Sequence, residues 1–291
     1  MKKFPHLITR VSPLALGAAL LLFAQPVIAQ TCDFSSFSAG TKLSPGEKFP
    51  NAKDGPFIFQ CYAPTGATAG GTIVSNPVDG TKMLQLTTNG KNGQPFSWVG
   101  QAAPVQAEGK TLEWTVTFSV PDIGDGSGVY VALVGGESVG AKSWALDQFQ
   151  PIRGQLQAPL SAKPSMVLGM NILHNMQAHV RYLADESGTT GTVASFSGNG
   201  KNWVVGTGAS AAKLNSTDTY QYAMKYDGSR GEFSFELKNL KTRNTMAAGS
   251  FPASKLVSSL DIKRLRLVVG DIMSNSSYGV TLNIHSIEIQ N

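Results

Sequence analysis

Charge is what this sequence has least of. Asp, Glu, Lys and Arg make up 15% of its 291 residues, against roughly a quarter in an ordinary soluble chain. The formal net charge of +5 shrinks once Lys2, Lys3 and Arg10 are set aside with the first 29 residues, because 21 basic residues then face 19 acidic ones, or +2. Such a balance gives no electrostatic footing for a polyanion, so nucleic acid is not expected as a partner. Cysteine is nearly absent, at two residues. Neither has a second cysteine or a histidine at ligand spacing, which argues against a structural zinc site. After residue 23 no apolar run approaches the roughly 20 residues of a membrane-spanning helix. Helix-forming stretches are scarce: only 209–214 and 254–260 offer a turn or short helix between the Gly and β-branched residues. There is no internal repeat, low-complexity linker or charge run.

What is present begins with an export signal. Lys2, Lys3 and Arg10 flank 14–23 (LALGAALLLF), a run of signal length that is too short to span a bilayer. Val27-Ile28-Ala29 offers small or modest residues where a signal peptidase reads, and Thr31 before Cys32 does not suit a lipoprotein. Residues 1–29 are therefore expected to be a cleaved signal peptide. Residues 30–291 are expected to be one secreted or periplasmic domain without membrane insertion. In an oxidising compartment Cys32 and Cys61 pair most simply with each other, closing a loop whose linkage contributes about 3–4 kcal/mol.

Apolar and polar residues alternate along much of the chain, the period of strands with one buried face. Leu112, Trp114, Val116 and Phe118 alternate with Thr111, Glu113, Thr115 and Thr117. Tyr220, Tyr222, Met224 and Tyr226 do the same before the turn at 227–231, and Phe233, Phe235 and Leu237 follow, which is a hairpin pattern. Further strands are expected at 72–76, 82–88, 129–134, 166–173, 178–184, 192–197, 202–206, 264–270 and 279–289. The stretch 89–110 reads as a long surface loop. The sum is an all-β antiparallel sandwich of jelly-roll type.

The phrases 33–41 (DFSSFSAGT), 74–86 (VSNPVDGTKMLQL), 193–205 (VASFSGNGKNWVV), 220–232 (YQYAMKYDGSRGE) and 280–289 (VTLNIHSIEI), in that order, resemble the concanavalin A-like lectin/glucanase superfamily. The resemblance implies two curved antiparallel sheets that meet ligands on the concave face. The acidic strand phrases that the superfamily's glucanases use, Glu-x-Asp-x-x-Glu or Glu-x-Asp-x-Glu, are missing here.

Candidate chemistry gathers at three places. His174, His179, Arg181 and Tyr182 form the densest set of groups able to move a proton or neutralise a uronate, as a β-eliminating lyase requires. His179 and Arg181 share a strand face at i, i+2. An exposed polar face with a hairpin at Asn175-Met176 explains the same residues. Trp144 with Asp147 and Gln148, and Trp98 second, combine an aromatic face with polar groups that suit sugar hydroxyls, though a buried tryptophan fits equally. Asp122 and Asp125 on a Gly-rich turn offer oxygens for a structural calcium, or simply make a solvated turn; no other cofactor is expected. The leading expectation is an exported protein that binds poly- or oligosaccharide. A secreted polysaccharide-degrading enzyme, a lyase before a glycoside hydrolase, is the alternative, and a non-catalytic surface or matrix protein is a third.

Overall fold

The computed structural model describes residues 30–32, 34–49, 57–90, 95–102, 104–124, 127–135, 166–173, 175–183, 203–205, 212–256, 261–273 and 279–290. They fold as two antiparallel sheets. The first orders its strands as β16 (Asn244–Pro252), β15 (Glu232–Asn239), β14 (Tyr220–Asp227), β8 (Thr111–Ile123), β18 (Val280–Gln290), β5 (Lys82–Gly90) and β4 (Ala67–Ser75), with β1 (Gln30–Cys32) also on β18. The second orders β12 (Trp203–Val205), β11 (Gln177–Leu183), β10 (Met166–Leu173), β9 (Ser127–Gly135), β17 (Arg264–Met273), β6 (Phe96–Gln101), β3 (Phe57–Tyr62) and β2 (Lys48–Phe49). Two short strands pair off this order, β13 (Ala212–Lys213) with β11 and β7 (Val105–Gln106) with β17. The all-β antiparallel sandwich expected from the alternation is the fold.

The first sheet buries one face, as its alternation requires. Leu112, Trp114, Val116, Phe118 and Val120 of β8 join Tyr220, Tyr222 and Met224 of β14 in the core. Trp114 is core, as expected, and its indole N–H donates to Gln101 Oε1 on β6 at 3.1 Å. The backbone N–H of Leu267 donates to the same oxygen at 2.8 Å, so one buried amide ties three strands across both sheets. Close approach is bare of side chains at Gly71, where a Cβ would fall 2.7 Å from the Phe59 ring.

The second sheet is buried on both faces along its middle strands: every residue of β6, and residues 129–134, 167–172 and 265–270. Strands with two buried faces lose alternation and read as continuous apolar runs. This corrects the reading of 89–110 as a surface loop, since β6 lies inside it and is completely buried. β3 and β16 were likewise not expected. The segment 192–197 lies outside the described residues. Of 254–260 the described residues 254–256 include the end of the 3-10 turn Ala253–Lys255, and within 209–214 the described part includes β13, paired with Gln177 and Ala178.

The cysteine pairing also needs correction. No Cys32–Cys61 disulfide is present, and the registers give the reason. Cys61 pairs with Ser97, whose hydroxyl accepts from Gly70 N–H at 2.9 Å and donates to Thr87 C=O at 3.1 Å in the first sheet. Thr87 is opposite Thr281 of β18, whereas Cys32 is opposite Ile287 of the same strand. That offset, on the order of 15–20 Å along the strand, far exceeds the ~4.4–6.8 Å Cα separation of a disulfide.

Candidate functional site

Ser97 and Gln101 reach the first sheet through their side chains, so odd positions of β6 face the core and even positions face away. The ladder registers then define one row across the outer face of the second sheet. Gln60 is opposite Trp98, Trp98 opposite Gly270, and Gly270 opposite Tyr130. Tyr130 is opposite Asn171, and Asn171 opposite His179. Residues directly opposite share a face. The row alternates amide and aromatic groups, and Gln60, Trp98, Tyr130 and Asn171 are all buried. Gly270 leaves the middle of the row without a side chain. Gly128 does the same beside Tyr130, where a Cβ would come 2.7 Å from the phenol oxygen.

One step along β3 and β6 the next row opens to solvent. Tyr62 is opposite Phe96, and their rings stack with centroids 5.7 Å apart and planes at 30°. Phe96 is buried, while Tyr62 is 45% exposed. An aromatic braced from behind, with its outward surface free and Gln60 two residues away, is a preformed platform. Arg266, completely buried, occupies the same outward register four residues along β17 from Gly270. Burial lowers its guanidinium to about 10, which leaves it cationic at neutral pH.

The structure distributes the expected site residues unevenly. Positions 179 and 181 both fall in the outward register of β11, opposite Asn171 and Gly169. Position 182 is opposite Leu168, in the alternate register from positions 179 and 181. His174, Trp144, Asp147 and Gln148 lie outside the described residues. Trp98 belongs to the row, but at 1% exposure it has no open ring face for a sugar. The exposed aromatic of this face is Tyr62, which sequence reasoning missed because FIFQCY carries no alternation. Asp122 is an exposed residue of β8, and Asp125 lies outside the described residues. Asp122 supplies one carboxylate there against the six to eight oxygens that calcium takes. Among the described residues no group of three or more His, Cys, Asp and Glu could hold a metal.

The outer face of the first sheet carries a shallow trough of about 330 Å³ lined by Glu113, Ala223, Lys225, Ser234, Glu236 and Ala248, among others. Glu236 accepts from Thr245 Oγ1 at 2.7 Å and pairs with Lys238 Nζ at 2.8 Å. The Lys238 contact first, then Thr245, lowers its carboxyl below the ordinary value. Glu236 is thus ionised at neutral pH, the opposite of the raised carboxylic acid that protonates a glycosidic oxygen.

No protein-family model and no curated protein matches the sequence. Among solved structures the chain is similar to the exoplasmic/lumenal domain of VIP36 in its Ca2+-bound form, with 11% identity and a TM-score of 0.49 over 90% of this chain and 89% of that one. It is similar to lectin II from Ulex europaeus with 13% identity and a TM-score of 0.45, over 87% of this chain and 99% of that one. It is also similar to the metal-free form of lectin I-B4 from Griffonia simplicifolia, with 14% identity and a TM-score of 0.43, over 91% and 99% of the two chains. These are similarities of strand arrangement, and nothing about this chain's ligand follows from them. No helix among the described residues is long and apolar enough to cross a membrane.

Proposed function

We propose that this chain is an exported carbohydrate-binding protein whose saccharide docks on Tyr62, where the outer face of the second sheet opens to solvent at the end of β3. The observation that carries the reading is the exposed Tyr62 ring, braced on Phe96 beside Gln60 at the open end of the amide–aromatic row. Pyranose rings present C–H faces to an aromatic and hydroxyls to amides, so the pairing suits a neutral, hydroxyl-rich ligand better than an ionic one. The low charge of the chain agrees with that choice. The test is a glycan array followed by titration calorimetry on the best ligand, with wild type and Tyr62→Ala compared. Ligands that bind both proteins equally would overturn the site, and the absence of any glycan ligand would overturn the function.

A polysaccharide lyase is the second reading. It is favoured by positions 179 and 181, which share the outward register of the same face. A lyase would release unsaturated uronate from an acidic glycan, and His179→Ala would lower that rate by roughly a hundredfold or more if His179 moves the proton. A purely binding protein would produce no unsaturated product with either sequence.

A further inference from the structure

The ladder between β18 and β8 is broken twice within a few residues, between Thr281 and Asn283 and again between Ile284 and Ser286. Bulges bend a strand and re-aim its side chains, and they are frequent beside active sites. The interval bracketed here holds Ser119 opposite Asn283, with His285 as the extra residue of the second bulge. Ser119 and His285 are 166 residues apart in sequence, yet Ser119 Oγ is 3.1 Å from His285 Nε2. Both are half-buried, on the side of the first sheet that faces away from the core.

The hydrogen-bond chain is compatible with the protonation state a nucleophile needs. Gln85 Nε2 donates to Asn283 Oδ1 at 3.1 Å, which leaves the Asn283 amide N–H groups pointing onward. Asn283 Nδ2 donates to Ser119 Oγ at 3.4 Å. In the tautomer with its proton on Nδ1, the imidazole accepts the serine hydroxyl hydrogen at Nε2 across this 3.1 Å contact. Burial holds His285 below its ordinary value, leaving it neutral at pH 7 and able to accept a proton. Asp79, in the turn between β4 and β5, acts on the ring through its negative charge. Its carboxylate is itself held by Thr81, whose backbone N–H and hydroxyl donate at 2.9 and 2.6 Å. A hydroxyl nucleophile, a neutral base within hydrogen-bond reach and a carboxylate that favours the imidazolium are the parts of nucleophilic acyl transfer.

We propose that Ser119 and His285 form an acyl-transfer site for a carboxylic ester on the outer face of the first sheet, separate from the saccharide face. Ser119 Oγ attacks the ester carbonyl carbon as its proton passes to His285 Nε2, and the carbonyl π pair moves onto oxygen beside the Asn283 amide. Collapse breaks the bond to the alkoxy group, which takes the proton from His285 and leaves as an alcohol. Water then attacks the acyl-serine in the same way, releasing the carboxylic acid and restoring the Ser119 hydroxyl.

The experiment treats the secreted protein with a fluorophosphonate probe and maps the adduct by peptide mass spectrometry, alongside hydrolysis of p-nitrophenyl acetate. The adduct is expected on Ser119. Ser119→Ala should abolish it, and His285→Gln should slow both labelling and hydrolysis at least a hundredfold while the thermal midpoint is retained. Asp79→Asn should give a smaller loss of rate. Labelling at another residue, no labelling of the wild type, or equal labelling of wild type and His285→Gln would each overturn the proposal.

Discussion

Tyr62 and Phe96 face each other across β3 and β6 with stacked rings, one 45% exposed and the other buried. The two halves of the pair therefore answer to different measurements. Tyr62→Ala removes a contact surface that is already largely in water, so stability should change little. Saccharide affinity should fall by about 1–3 kcal/mol, roughly fivefold to 150-fold, the scale of a lost aromatic anchor. Phe96→Ala leaves a cavity in the sheet and should cost about 3–5 kcal/mol of stability. Calorimetric titration with paired urea melts separates the two effects. A Tyr62→Ala protein that melts early would show that the ring is structural.

Gln101 accepts from the Trp114 indole and from the Leu267 backbone with a single oxygen. Gln101→Met keeps the volume and removes the acceptor, leaving two buried N–H groups without it. Each stranded donor costs about 1–3 kcal/mol, so a loss of about 2–6 kcal/mol is expected for the two. The urea midpoint should fall with the slope of the transition unchanged. An unaltered midpoint would mean that the two donors find other acceptors.

The amino-terminal reading has its own check. Expressed with its first 29 residues in a bacterium that exports through a signal peptidase, the chain should be recovered outside the cytoplasm starting at Gln30. Intact mass and amino-terminal sequencing decide this. Recovery of a full-length, membrane-associated product would retire the signal-peptide assignment.

Strands with one wet face were the easiest to read, while fully buried strands were readable only where they form long β-branched and aliphatic runs, as at 129–134 and 264–270. β8, β14 and β15 announce themselves because Glu113, Lys225 and Ser234 alternate with core residues on a face that meets water. β6 (FSWVGQ) and β3 (FIFQCY) are hidden because both faces are buried or nearly so, and the row from Gln60 to Asn171 went unseen with them. Positions 179 and 181 were readable as sharing a face because that follows from period two alone. Their opposition to Asn171 and Gly169 needed the register. Ser119 and His285 left no trace in the sequence. They meet only because one bulge residue shifts the β18–β8 ladder, and no local pattern encodes a contact across 166 residues.

Tyr222 offers the cleanest test of the core. Its ring lies between the sheets at 0% exposure, and its hydroxyl has no hydrogen-bond partner among the described residues. A buried hydroxyl without a partner loses its water and gains nothing in return, at about 1–3 kcal/mol. Tyr222→Phe deletes that oxygen and keeps the ring, so the variant should be as stable as wild type or more so, by up to about 2 kcal/mol. Alkaline titration gives a second readout with a definite sign. Burial pushes the Tyr222 phenol well above its ordinary value near 10 in the folded state. Above that pH the unfolded chain loses the proton while the folded chain keeps it, so stability present at neutral pH drains away as pH rises. Tyr222→Phe should flatten this decline in urea melts taken between pH 8 and about 11. If the variant is instead less stable than wild type at neutral pH, the hydroxyl has a partner within the core, and the two sheets are joined there by a hydrogen bond as well as by packing.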